Sequence, residues 1–152
     1  MRPERRPIHV LAWAATLGPR RYDRRRGTIA KVLVVDDDRI VTEMYSLALT
    51  RAGHDVVVAN DGLAALQAVL AARPDFIFLD IRMPKMDGTE VLRSLASAEI
   101  TRDIPVVMLS NYDEPGIVRS SLSLGAREYL VKAATNPAEL SRIVSNWVKG
   151  AG

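Results

Sequence analysis

No cysteine occurs in the 152 residues, which excludes a disulfide framework, a zinc–thiolate site and a thiol nucleophile. That absence fits a reducing compartment, and a cytoplasmic setting is the expectation. No stretch approaches the ~18 apolar residues of a membrane span, so no membrane partner is expected. Histidines are scarce: the chain has 2. The sequence around His54 offers no second metal ligand and no sign of a phosphorylated histidine, so this residue reads as part of a turn.

The formal net charge of +3 averages two unlike segments. Residues 1–28 carry eight arginines against Glu4 and Asp23, whereas the remainder carries 13 basic and 16 acidic side chains. Any nucleic-acid affinity suggested by the basic balance would therefore belong to the first segment alone, and the mildly acidic body argues against it. Arginine clusters flank an apolar stretch from Ile8 to Gly18. A secretory signal has a similar start, but His9 interrupts the run and the arginines from Arg20 to Arg26 occupy the place of a cleavage region. The segment reads either as a flexible basic arm or as an upstream stretch from a misassigned translation start. The domain division is thus a basic extension over 1–28 and one folded domain over 29–152.

From Ala30 onward the pattern is regular. Val32–Val35, Val56–Ala59, Phe76–Leu79 and Val106–Leu109 are continuous apolar runs, and Leu130-Val131 is a shorter fifth. Runs without polar alternation suit strands buried on both faces of a parallel sheet. Between them, helical spacing places Ile40, Met44, Leu47 and Ala48 on one face, and Leu63, Leu66 and Leu70 on a second, entered through the capping pair Asn60-Asp61. Val91, Leu92 and Leu95 form a third face. Ile117, Ser121 and Leu124 form a fourth that stops at Gly125. Leu140, Ile143, Val144 and Trp147 form a fifth, with Pro137 in the first turn. Trp147 reads as core or partner surface. Strands alternating with helices give an α/β doubly wound domain, whose ligands sit at the carboxyl ends of the strands.

At those ends lie Asp36, Asp37 and Asp38 after the first strand, Asp80 after the third, Ser110 after the fourth and Lys132 after the fifth. One acidic residue there is ordinarily a helix cap, and Asp38 fits that role. The set as a whole does not: two carboxylates about 4 Å apart repel by roughly 4 kcal/mol at an effective dielectric near 20. Gathering Asp36, Asp37 and Asp80 calls for a hard divalent cation, and magnesium suits oxygen ligands combined with phosphate. A carboxylate facing such an ion can attack phosphorus, with the hydroxyl and ammonium stabilising the group in transit.

The stretches VLVVDDD, FLDIRMPKMDG, VVMLS and REYLVK, in this order, closely resemble the signature blocks of the response-regulator receiver domain of bacterial two-component systems, the chemotaxis regulators among them. The resemblance covers roughly residues 30–150 and implies a flavodoxin-like five-stranded parallel sheet, in order 2-1-3-4-5, with five helices. It implies that Asp80 is the phosphoacceptor. Asp37 would bind Mg²⁺ directly, Asp36 through water, and the backbone carbonyl of Arg82 would be a further ligand. Lys132 would pair with the carboxylate and then the phosphoryl group, Ser110 would hydrogen-bond a phosphoryl oxygen, and Tyr129 would be an aromatic switch that turns inward as Ser110 moves. Met83-Pro84 and Asp87-Gly88 would shape the loop after the acceptor strand. The implied donor is a sensor histidine kinase or a histidine phosphotransfer protein. The implied output is a partner protein, a relay step or a homodimer, reached through the face of helix four, strand five and helix five. Because the chain ends after Lys149, a stand-alone receiver is expected.

Some positions depart from the family pattern. Ala133 stands where a proline usually follows the lysine, which leaves the Lys132–Ala133 bond open between trans and a costly cis form. Asn111 is larger than the usual residue after the hydroxyl. Arg82 and Tyr112 occupy the positions that tune dephosphorylation, and their bulk predicts a phosphorylated state longer-lived than in fast chemotaxis receivers. Two other readings compete: a phosphorylation-independent pseudo-receiver serving as an interaction module, and an aspartate-nucleophile phosphohydrolase. The second would use Asp36 and Asp38, but it lacks a cap domain and leaves Asp80 idle.

Overall fold

The computed structural model describes residues 29–150; the basic extension expected over 1–28 lies outside them. Five apolar runs become strands β1 (Lys31–Val35), β2 (Asp55–Ala59), β3 (Phe76–Leu79), β4 (Val106–Ser110) and β5 (Glu128–Val131). They alternate with helices α1 (Arg39–Arg51), α2 (Gly62–Ala72), α3 (Gly88–Ser97), α4 (Pro115–Ser123) and α5 (Leu140–Gly150). All strand pairs are parallel, and the sheet order is β2-β1-β3-β4-β5, as the resemblance implies.

The alternation of side chains along each strand builds two cores. Leu33, Val35, Ile77, Leu79 and Met108 face one side, where Leu66 and Val69 of α2 and Val91, Leu92 and Leu95 of α3 cover them. Val32, Val34, Phe76, Phe78, Val107 and Leu109 face the other, against Tyr45 and Leu49 of α1 and Leu140, Val144 and Val148 of α5. Central strands covered on both sides need apolar residues at every position, hence the unbroken runs. The edge strand β2 departs from that expectation. Its Val58 is 41% exposed and Val56 and Val57 are half-buried, since no strand lies beyond it. β5, the other edge, is half-buried throughout.

Two helix faces also depart from their predicted phase. In α1 the buried residues are Thr42, Tyr45 and Leu49, while Ile40, Met44 and Leu47 are 77%, 45% and 52% exposed. Both stripes have helical spacing, so hydrophobicity alone left the rotation of the helix open. Asp38 sets where the helix begins: its carboxylate accepts the N–H groups of Ile40 at 2.9 Å and Val41 at 3.4 Å. In α2, Leu66 and Leu70 are buried as predicted but Leu63 is 47% exposed. The predicted faces of α3 and α5 are buried, with Trp147 half-buried and its indole N–H donating to the Glu128 carboxylate. Pro137 falls in a 3-10 turn (Pro137–Glu139) that leads into α5 rather than in the helix itself.

At the amino-terminal edge of the sheet, His54 does more than turn the chain. Its buried ring accepts the Ala30 N–H at Nδ1 (3.0 Å), so the ring proton sits on Nε2, 3.2 Å from the Ser141 hydroxyl. One side chain thereby ties β1, the entry to β2 and α5 together, far from the acidic edge. Burial holds this imidazole below its usual range, against the opposing charge of Asp55.

Candidate functional site

The register of β1 with β3 brings two carboxylates together. Val35 pairs with Leu79, so the residues that follow, Asp36 and Asp80, leave the sheet side by side. Backbone bonds fix both: Asp36 N–H donates to Ala59 C=O at 3.1 Å, and Asp80 N–H donates to Val35 C=O at 2.9 Å. Asn60 donates its amide to the Asp36 carbonyl at 3.0 Å. Asp36 and Asp80 are buried and Asp37 is exposed. One carboxylate oxygen from each of Asp36, Asp37 and Asp80 lies within 4.8 Å of the others.

Lys132 stands at the end of β5 with its Nζ 2.5 Å from Asp36 and 3.3 Å from Asp80. No cis peptide occurs among the described residues, so the Lys132–Ala133 bond is trans. A 3-10 turn over Lys132–Ala134 takes over the loop, closed by Thr135, whose N–H reaches Lys132 C=O and whose hydroxyl reaches Val131 C=O. The lysine is thus placed without the usual proline.

The electrostatics follow from this packing. Burial, reinforced by the negative charge of Asp36, pushes the Asp80 carboxyl up to about 6, against the Lys132 ammonium and the Ile81 N–H bond at 2.9 Å. Burial works to lower the Lys132 ammonium, but the hydrogen bond to Asp36 and the charges of Asp80 and Asp36 outweigh it and leave it raised. Three carboxyl groups and one ammonium thus converge at this edge. This is an anionic pocket of hard oxygen donors, suited in charge and chemistry to a divalent cation.

Ser110 is fully buried at the end of β4, and its hydroxyl accepts the Tyr112 N–H at 3.3 Å. Tyr129 is already turned inward: it packs against the first core, and its hydroxyl donates to the Tyr112 carbonyl and lies beside Ser110. Arg82 and Tyr112 touch directly, with the guanidinium carbon 4.3 Å from the ring centroid. Asn111 is exposed.

The loop after Asp80 is held by close backbone approach. A Cβ at Gly88 would lie 2.0 Å from the Asp80 carbonyl oxygen, and the Gly88 N–H donates to Ile81 C=O at 2.6 Å. At Gly62 a Cβ would meet the Met86 carbonyl at 2.1 Å. Asp87 then caps α3 through the Glu90 N–H. Sequence reasoning missed Tyr45, a buried phenol of α1. Burial raises its hydroxyl, and it is close enough to feel Lys132, Asp36 and Asp80. A correct phase for α1 would have pointed to it.

A model of the response regulator receiver domain matches residues 32–145. The chain belongs to this family: it is a receiver domain of two-component response regulators. It is 40% identical over 113 residues to the response regulator MprA of Mycobacterium leprae, covering 74% of this chain and 49% of that protein. It is 38% identical over 102 residues to the alkaline phosphatase synthesis transcriptional regulatory protein PhoP of Bacillus subtilis, covering 67% of this chain and 42% of that protein. The chain therefore spans about half the length of the curated relatives it matches. Among solved structures, the receiver domain of the Francisella response regulator 1452 has a TM-score of 0.74 at 31% identity, covering 81% of this chain and 99% of that one. The receiver domain of NarL from Mycobacterium tuberculosis has a TM-score of 0.72 at 36% identity, covering 80% and 98%.

Proposed function

We propose that Asp80 accepts a phosphoryl group from the phosphohistidine of a sensor histidine kinase or a histidine phosphotransfer protein, and that residues 29–152 form the switch this reaction sets. The observation that carries the reading is the buried Asp80 carboxylate, sharing the Lys132 ammonium with Asp36 at the carboxyl edge of the sheet. A carboxylate oxygen of Asp80 bonds to phosphorus as the donor's P–N bond breaks, and that electron pair leaves with the imidazole. Lys132 and the Ser110 hydroxyl would contact the phosphoryl oxygens and stabilise their charge.

The donor set fits magnesium. Asp37, Asp80 and the Arg82 carbonyl would hold it directly and Asp36 through water, and when bound it supplies positive charge against the phosphoryl oxygens. The only chemistry is self-phosphorylation and slow self-hydrolysis. Tyr129 would report the phosphorylated state to the face of α4, β5 and α5, where a protein partner or a second copy binds. A cytoplasmic setting agrees with the absence of cysteine and with the lack of a helix, among the described residues, long and apolar enough to cross a membrane. The basic extension over 1–28 would be a separate segment from this domain.

The test is acetyl phosphate with magnesium, read by intact mass. Wild type should gain one phosphate and Asp80→Asn none; an unmodified wild type would point instead to an interaction module that works without phosphate. Arg82 and Tyr112, in contact beside the acceptor, should slow hydrolysis of the adduct, and loss within seconds at neutral pH would refute that slowing.

A further inference from the structure

Tyr112 is held by three different contacts. Its ring carries the Arg82 guanidinium, its N–H donates to Ser110 at 3.3 Å, and its carbonyl accepts the Tyr129 hydroxyl. One residue of the loop between β4 and α4 thus touches the acceptor loop, the buried hydroxyl of β4 and the aromatic of β5.

Little else steadies that loop. Asn111, Asp113 and Glu114 are exposed, and Glu114, which precedes α4, makes no side-chain cap to the helix. Arg82 is itself exposed and has no ion-pair partner among the described residues, although Asp113 and Glu114 lie in the same loop as Tyr112. Its guanidinium takes the ring instead, a contact that suits its planar, weakly hydrated charge.

We propose that the Arg82–Tyr112 stack is a brace that holds the Tyr112 carbonyl where the Tyr129 hydroxyl reaches it, so that Arg82 and Tyr112 are positioning residues for the inward orientation of Tyr129. Arg82 lies two residues after Asp80, so the brace links the acceptor loop to Tyr129 through Tyr112, beside the contacts that Ser110 makes with both tyrosines. The consequence rests on the reading of Tyr129 as the reporter of the phosphorylated state. The brace itself does not, because it acts before any phosphoryl group arrives.

The experiment uses the full, unphosphorylated chain with fluorotyrosine in place of its 4 tyrosines and signals assigned by Tyr→Phe variants. Solvent exposure of Tyr129 is read from the fluorine isotope shift between H₂O and D₂O. Arg82→Ala and Tyr112→Leu should each increase the solvent-exposed population of Tyr129 about two- to five-fold, the equilibrium equivalent of an exposed cation–π contact. Arg82→Lys should fall between wild type and Arg82→Ala, and the double variant should add nothing to either single one. Arg82 is exposed, so its substitution leaves the core intact, and an unchanged thermal midpoint for Arg82→Ala checks this. Unchanged Tyr129 exposure in both single variants, or additive effects in the double variant, overturns the brace. Failure to form an acetyl phosphate adduct would overturn the phosphoacceptor reading and leave this measurement standing.

Discussion

Asp80 shows how burying a carboxyl beside like charge costs stability. Its carboxyl rises from 3.8 to about 6 in the fold, chiefly through burial and the charge of Asp36. A raised carboxyl binds its proton more tightly folded than unfolded, so its contribution is full below about pH 4 and is lost as pH rises through about 6. Asp80→Asn should therefore stabilise the chain at pH 7 by up to about 3 kcal/mol, with the gain vanishing below about pH 4. Urea titrations at pH 4 and 7 measure it, and an equal effect at both pH values would contradict the cause given. Magnesium offsets the same repulsion, so at pH 7 it should raise the melting temperature of wild type more than that of Asp80→Asn. The sequence brought Asp36, Asp37, Asp80, Ser110 and Lys132 to one edge correctly, because strand ends are legible from apolar runs. The resemblance implied the pairing of Lys132 with Asp80, but the sequence could not show that Lys132 also holds Asp36, or that Tyr112 carries Arg82 and Tyr129. Those contacts depend on side-chain reach across neighbouring strands.

At the scale of elements, the acceptor loop depends on glycine for space. Gly88 lies against the Asp80 backbone so closely that any side chain would displace it. Gly88→Ala should cost about 3 kcal/mol, at the upper end of overpacking effects, and should lower the rate of Asp80 phosphorylation. Chemical denaturation and intact mass read the two effects; a fully stable, fully active variant would mean that the loop yields without strain. The caps at Asp38 and Asp61 were readable as helix entries, and each accepts a backbone N–H in the structure; Asp87, read only as a loop residue, caps α3 as well. The rotation of α1 was not readable, because Ile40-Met44-Leu47 and Val41-Tyr45-Leu49 are both apolar at helical spacing.

For the whole molecule, the misread stripe becomes a surface. Ile40, Met44 and Leu47 of α1 are exposed large apolar residues, as are Val58 on the β2 edge and Leu63 on α2. Ile40 follows closely on Asp36–Asp38, so this surface adjoins the acceptor. An exposed apolar helix face beside the proposed acceptor would suit docking of the proposed donor protein. Met44→Glu should slow phosphotransfer from a cognate histidine kinase about ten-fold and leave phosphorylation by acetyl phosphate unchanged, because the small donor needs no docking surface. Equal loss with both donors would place the defect in the fold and not in recognition.

Strand identity, parallel pairing and the edge where the chemistry collects were determined by the sequence itself, since a doubly covered sheet requires apolar residues on both faces and a carboxylate cluster requires a cation. Which face of α1 turned inward, how far the edge strands β2 and β5 were exposed, how Lys132 was held without a following proline, and where Tyr129 pointed were decided only by tertiary structure. Each depends on what packs or bonds against the residue from elsewhere in the chain: Tyr45 on the second core, Thr135 on Lys132, and Tyr112 on Tyr129. Local periodicity carries no information about such partners.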